Sequence, residues 1–241
     1  MCLNLVSASA QMGGPKGPQL SGNIAKLFGK NSAFSAAMEM QTLMPPQNQT
    51  VTMPGKIAFD AGKSRFEMDM SEMKGASMPP QAIAQMKTMG MDKMVMIARP
   101  DKKLTYMVYP NLQAYTEIAI TDQDAVKAES DFNVEVTKLG EEKVDGHPCI
   151  KNKAVVSDKQ GNKYESTVWN ATDLKDFPVK IEVQDQGHAM TMLFKDVKLA
   201  KPEASLFESP AGLKRYDNPM ALIQGEMMKR MGAGMGMPQG K

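Results

Sequence analysis

Residues Phe66 to Met96 read FEMDMSEMKGASMPPQAIAQMKTMGMDKMVM and carry nine of the chain's 24 methionines. Both ends follow a two-residue period, and the first alternates apolar with charged residues as a half-buried strand does. Phe66, Met68 and Met70 fall on one face, with Arg65, Glu67 and Asp69 on the other. At the far end Met94, Met96 and Ala98 alternate with Val95 and Ile97. The middle changes period: Ile83, Met86 and Met89 recur at helical spacing after Pro79-Pro80. The stretch predicts strand, short helix, strand, with methionine at the inward positions. An unbranched thioether fills irregular apolar space and tolerates a change of neighbours. A helix of this kind is suited to lie over an apolar cavity and to move, which points to binding rather than to a reaction.

Outward from this stretch the pattern stays β. Upstream, Phe34, Ala36, Met38, Met40 and Met44 share a face, with Glu39 and Gln41 opposite. Val51, Met53, Ile57 and Phe59 repeat the pattern, and Pro54-Gly55 among them predicts a bulge or an edge position. Asp60-Ala61-Gly62-Lys63 turns the chain into the Phe66 strand. Downstream, strands at Met94–Ala98 and Leu104–Tyr109 flank Pro100-Asp101-Lys102, and Leu112–Ile120 follows. Thr121 with Asp124 resembles a capping box that opens a helix from Asp122 to about Glu129. Phe132–Val144 and Pro148–Val156 flank Asp145-Gly146, the strongest hairpin signal in the chain. Lys163–Asn170, the Val179-Ile181-Val183 run and the Met190-Met192-Phe194 run complete the series, with the alternation slipping before Val197 and Leu199.

That makes about ten or eleven antiparallel strands joined by short turns. Strands and helices do not alternate, so a parallel sheet is not expected. A flat sheet of that width is unusual. The fold class predicted is mainly β with a few short helices: a curved antiparallel sheet forming an incomplete, half β-barrel covered by those helices.

Lys plus Arg is 29 and Asp plus Glu is 27, a net charge of +2, which argues against a nucleic-acid partner. No run reaches the length of a transmembrane helix. Met1 to Ala10 reads MCLNLVSASA and ends in an A-x-A pattern. It resembles the back half of a secretory signal peptide without its basic start, so export to the periplasm or beyond is expected. Cleavage after Ala10 would leave Cys149 as the only thiol. Residues 11–32 read as a Gly/Pro-rich leader and a short helix that Ser21 can cap, with Ile24, Leu27 and Phe28 on one side. At the other end, Asn218 to Met231 reads as an amphipathic helix with Met220, Ile223, Met227 and Met231 in one stripe, and a Met/Gly-rich tail completes the segment 218–241.

Three blocks carry a family resemblance. Gly140 to Cys149 (GEEKVDGHPC) is strand–turn–strand. Val168-Trp169-Asn170 runs through to Phe177-Pro178-Val179-Lys180. Ala200 to Tyr216 holds Phe207 and the run Pro210-Ala211-Gly212-Leu213-Lys214-Arg215-Tyr216. In this order they resemble an exported bacterial family that is itself similar to the periplasmic lipoprotein carriers and outer-membrane lipoprotein receptors of the Lol pathway. The resemblance covers roughly Phe34 to Met231. It implies a LolA-like half-barrel over residues 33–217, covered by short helices, around a cavity that in the carriers holds acyl chains; the Met-rich lid read at about 77–91 and the C-terminal Met helix depart from the carriers. The carriers' lid-latching arginine has no matching position here; Arg65 and Arg99 are the candidates.

The methionines admit three readings. The pairs Met38/Met40, Met68/Met70, Met94/Met96 and Met190/Met192 each point to one face, as core filler does. The same face can line a cavity for a lipid or another apolar ligand. The cavity and lid residues would then be Met38, Met40, Phe66, Met68, Met70, Ile83, Met86, Met89, Met94, Met96, Met190 and Met192. Thirdly, soft thioethers select Cu(I), for which Met89, Met91, Met227, Met228, Met231, Met235 and Met237 are the candidates. His147, His188 and Cys149 are too few for a structural zinc site. Cys149 reads as a buried small hydrophobe. No nucleophile elbow, zinc-protease helix, phosphate-cradling loop or dinucleotide fingerprint is present, and no cofactor is implied.

The sequence thus predicts an exported, non-enzymatic binding protein for an apolar ligand such as a lipid or lipoprotein acyl chain, with a membrane-associated partner as a further expectation. Two alternatives stand beside it. One is a Met-rich Cu(I)-binding or oxidation-buffering envelope protein. The other is an interaction module that docks a partner through its C-terminal helix.

Overall fold

The computed structural model describes residues 22–44, 49–75, 79–120, 132–185 and 188–234. The leader segment before residue 22, the helix expected from Asp122 and the end of the tail lie outside the described residues. Twelve strands form one sheet: β1 (Ala33–Met44), β2 (Gln49–Asp60), β3 (Lys63–Asp69), β4 (Lys93–Arg99), β5 (Leu104–Tyr109), β6 (Ala114–Ala119), β7 (Asn133–Val144), β8 (His147–Ser157), β9 (Lys163–Ala171), β10 (Phe177–Asp185), β11 (His188–Lys198) and β12 (Lys214–Tyr216). Among the described residues three α-helices accompany them: α1 (Gly22–Lys26), α2 (Pro80–Thr88) and α3 (Pro219–Gly234).

The order across the sheet is β12-β6-β5-β4-β3-β2-β1-β11-β10-β9-β8-β7. Two meanders, β1 to β6 and β7 to β11, are thus joined along β1 and β11. The sheet is curved and does not close into a barrel. One pair departs from the antiparallel expectation: β12 runs parallel to β6 over Lys214 to Tyr216. The chain returns to this edge after β11, and a three-residue strand can pair there in either sense.

The hairpins follow their turn residues. Ala61-Gly62 and Asp145-Gly146 both take positive φ at each central position (48° and 88°; 48° and 89°), the twist that matches the flanking strands. The slip before Val197 is a bulge: Asp196 has φ 51°, and the β1–β11 register shifts between Ser35 and Ala37. At Pro54 the β1–β2 register runs unbroken. The β2–β3 pairing, however, stops at Gly55–Met68, because β3 leaves into a 3-10 turn at Met70–Glu72. Pro54 therefore sits at a local edge, where its missing N–H removes no ladder bond.

One face of the sheet, the inner face, carries the larger apolar cluster, drawn from β1–β5 and β8–β11 together with Phe28 after α1. On the outer face Ala58, Val95, Ile97, Tyr106 and Val108 are buried under Phe207, with Leu206 and Leu213 beside it. This cover explains why Met94 to Ile97 is an unbroken apolar run: β4 is buried on both sides. Two arginines fasten the cover. Arg65 Nη1 donates to the Leu206 carbonyl at 3.2 Å, and Arg99 Nη1 to the Phe207 carbonyl at 2.8 Å. Both candidates for a lid-latching arginine therefore serve the outer face and bond the 206–207 backbone.

α3 also differs from its expected stripe. Among its described side chains Leu222 and Glu226 are buried, whereas Met220 and Met227 are 59% and 42% exposed. The reason is local. Leu222 packs against Leu112 and Ala114, and Glu226 accepts from Tyr216 Oη and Lys229 Nζ. Gly225 lets the Tyr216 ring lie against the helix, since a Cβ there would meet that ring at 2.7 Å.

Candidate functional site

The inner face is built in cross-strand rungs. Ala36, Ile57, Phe66, Met96, Met107 and Thr116 stand opposite one another from β1 to β6. The next rung is Phe194, Met38, Gly55, Met68 and Met94. The third is Ile181, Met192, Met40 and Met53. Beyond it Val183 faces Met190, which faces Thr42. None of these positions carries a charge; the third rung continues through Val168 and Asn152 to the exposed Lys138 on β7, at the sheet edge.

Along the strands the face is graded. One end is an aromatic floor: Phe28 stacks on Phe34 at 4.7 Å between centroids, and Phe34 meets Phe177 edge-on at 4.9 Å. Then come buried methionines, Met38, Met68, Met94, Met96, Met107 and Met192. The other end is a rim of half-buried residues, Met40, Met53, Met70, Met190, Val183 and Tyr109. The rim lets thioethers move, while the floor of interlocked rings does not.

All the strand candidates, Met38, Met40, Phe66, Met68, Met70, Met94, Met96, Met190 and Met192, belong to this one cluster. The helix candidates do not join it. Ile83, Met86 and Met89 are half-buried, and none of the residues of α2 is fully buried. α2 packs against the Met70–Glu72 turn, beside the rim. Met53, Met107 and Tyr109 are further members that the M-x-M spacing does not single out; the inward alternation Thr105-x-Met107-x-Tyr109 is the signal that marks two of them.

Hydroxyls interrupt the apolar face, and three of them stand out. Thr105, Thr116 and Ser166 are buried and, among the described residues, are the side chains whose buried polar atoms have no hydrogen-bond partner. Leaving a hydroxyl so costs about 1–3 kcal/mol each.

Two clefts open elsewhere. One of about 360 Å³ lies on the outer face, among Ser35, Lys56, Arg65, Glu67, Asp196 and Leu206. Another, about 400 Å³, lies at the β7–β8 hairpin. Neither is lined by a candidate methionine.

The Cu(I) candidates are dispersed in role. Met91 packs beside Leu112, Ala114 and Leu222, Met89 ends α2, and Met227 and Met228 are exposed on α3. The Met231 side chain, Met235 and Met237 lie outside the described residues. Among the described residues no three His, Cys, Asp or Glu side chains converge as a metal site. His147 Nδ1 lies 2.8 Å from Asp173 Oδ2. Burial pushes the Cys149 thiol above its ordinary pKa, with the nearby charge of Asp173 adding to the rise. In a Cys2→Ser background, Cys149 is expected to resist iodoacetamide at pH 8 until the protein unfolds. Alkylation of the folded protein at the rate of a free thiol would contradict this.

The first two sequence blocks meet at Trp169. Its Nε1 donates to Glu142 Oε2 at 2.9 Å, and Lys180 and Lys151 stand over the ring at 4.2 and 4.9 Å. That hydrogen bond is the main reason why the Glu142 carboxyl titrates below the usual range. Among the described residues no helix is long and apolar enough to cross a membrane.

Fold and site define an open, curved, mainly antiparallel sheet with a methionine-rich apolar stretch on one face. The chain belongs to the family described as Domain of unknown function (DUF4412), which matches residues 34–177. The match takes in the Gly140–Cys149 block and reaches Phe177 in the second; the Ala200–Tyr216 block lies beyond it. No curated protein matches the sequence. Among solved structures the chain is similar to a LolA superfamily protein from Nitrosomonas europaea, at 11% identity and TM-score 0.43, over 78% of this chain and 94% of that one. It is similar to LprF from Mycobacterium bovis at 10% identity and TM-score 0.39, over 80% and 94%. It is also similar to the lipoprotein LppX from Mycobacterium tuberculosis at 9% identity and TM-score 0.40, over 68% and 85%.

Proposed function

We propose that this is an exported envelope protein that binds an apolar ligand, a lipid or the acyl chain of a lipoprotein, against the inner face of the sheet. The role is carriage or storage rather than catalysis. The observation that carries the reading is the grading of the inner face from an aromatic floor through buried methionines to the half-buried rim of Met40, Met53, Met70 and Met190. Entry at the rim displaces thioethers, which repack at low cost. Each CH₂ of the ligand that leaves water then contributes about 0.8 kcal/mol, so a long chain is held without a charged anchor. α2 acts as the lid: none of its side chains is fully buried, so it shifts with little loss of packing. A membrane-associated partner delivers or accepts the ligand.

Native mass spectrometry of residues 11–241, purified gently after export, tests this. The expected result is an adduct of lipid mass. Met40→Asp/Met190→Asp places carboxylates at the rim, where charge is disfavoured beside an acyl chain. It is expected to lose the adduct while keeping its β circular dichroism. A bare polypeptide mass from the wild type, or an adduct undiminished in the folded double variant, sinks the proposal.

A further inference from the structure

This inference rests on the binding role proposed above and names the chemistry of the ligand. Thr105 is 1% exposed, Thr116 is 0% and Ser166 is 9%, and none of the three hydroxyls has a partner. All three face inward. Thr116 stands opposite Met107, which stands opposite Met96. Thr105 is two residues before Met107 on the same strand and pairs with Ile118, two residues after Thr116. Ser166 faces Val183, which faces Met190, on the far side of the sheet. Valine fits a β-strand and has the shape of threonine, without a hydroxyl to satisfy. Two unpaired hydroxyls on adjacent strands, in diagonal register on one face, are within reach of a single small polar group.

We infer that Thr105 and Thr116 form a polar subsite for an uncharged carbonyl or hydroxyl group, so that the ligand is a neutral acyl ester or a chemically similar amphiphile. A threonine hydroxyl both donates and accepts, which suits an ester. A free carboxylate or phosphate does not fit. The rungs around the pair hold Ala36, Ile57, Phe66, Met96 and Met107 but no cation, and an unpaired buried charge is far costlier than an unpaired dipole. A plain hydrocarbon leaves both hydroxyls unpaired.

The test is displacement of Nile red by methyl laurate, dodecane and, at pH 9, laurate. It is run on the wild type, Thr105→Val/Thr116→Val and Thr105→Ser/Thr116→Ser. The wild type is expected to take methyl laurate about tenfold more tightly than dodecane, and laurate least well. The valine variant should bind dodecane as the wild type does and lose the preference for the ester; the serine variant should keep it. Without ligand, the valine variant should melt at a higher temperature, because it no longer buries unpaired hydroxyls. Equal affinity of the wild type for ester and hydrocarbon, or a preference that survives in the valine variant, overturns the subsite and leaves the carrier role standing. A lowered melting temperature in that variant overturns it too, since the hydroxyls would then be satisfied in the free protein by water. If neither neutral probe displaces Nile red, the carrier role fails and the subsite with it.

Discussion

Gly55→Ala is expected to destabilise the protein by about 3 kcal/mol, the upper end of the range for forcing extra volume into a packed interior. Gly55 lies on β2 between Met38 and Met68, at the centre of the inner face. A Cβ placed there would sit 2.6 Å from the Glu67 carbonyl oxygen. That oxygen belongs to the backbone of β3, so relief requires the two strands to part rather than one side chain to turn. Parting them also opens the rung that holds Met38, Met68 and Met94, so ligand retention should fall with stability. Gly140→Ala on β7 is the control, since a Cβ there would meet nothing within 4 Å. It should change stability by less than about 0.5 kcal/mol. Urea denaturation followed by circular dichroism checks both. Matching midpoints for the two variants would show that the strands yield where the geometry says they cannot.

Arg99→Ala is expected to cost about 2–3 kcal/mol and to free the outer cover. Arg99 is 5% exposed. Its Nε and Nη2 donate to Asp101 at 2.9 and 2.8 Å, and its Nη1 donates to the buried Phe207 carbonyl and lies 3.3 Å from Glu208. Asp101 and then Glu208 hold the Arg99 pKa above its ordinary value. The reciprocal effect falls on the acids. The hydrogen bond from Arg99 is the first cause holding the carboxyls of Asp101 and Glu208 below the ordinary range. A lowered carboxyl pKa adds stability that is complete above the unfolded value, about pH 4, and is lost as the pH falls through the folded value. Wild-type stability should therefore drop through that acid window. The gap to Arg99→Ala should narrow there, because in the variant the two acids lose the first cause of their lowered titration. Proteolysis within residues 200–213 of the variant at neutral pH, before global unfolding, is the second readout. An unchanged midpoint and an unchanged acid limb would show that the cover holds without Arg99.

The fold was legible because its signals are local. Alternation placed Met38 and Met40 on one side of β1 and Glu39 on the other, and a strand's two-residue period leaves no other arrangement. Asp145-Gly146 fixed its hairpin through the conformational freedom of those residues. The slip before Val197 announced the bulge at Asp196. The candidate site was legible on the strands to the extent that parity alone gathers Met68, Met94, Met96 and Met192 on one face. On the helices it was not. The stripe of Met220, Ile223, Met227 and Met231 has helical spacing, but spacing does not say which side meets the sheet. Leu222 is buried instead, because Gly225 gives the Tyr216 ring a seat on that side and Glu226 completes it.

By itself, then, the sequence determined the mainly β class, the hairpin turns, the inward parity of the methionines and the position of α2. Each depends on residues a few positions apart, whose geometry the backbone dictates. Only the tertiary structure decided that β1 joins β11, that β12 lies parallel to β6, that Arg65 and Arg99 fasten the outer cover, and that Thr105 and Thr116 are buried without partners. Each of those depends on contacts between residues far apart in the chain, chosen by which surfaces meet once the sheet has curved, and no local period encodes that choice.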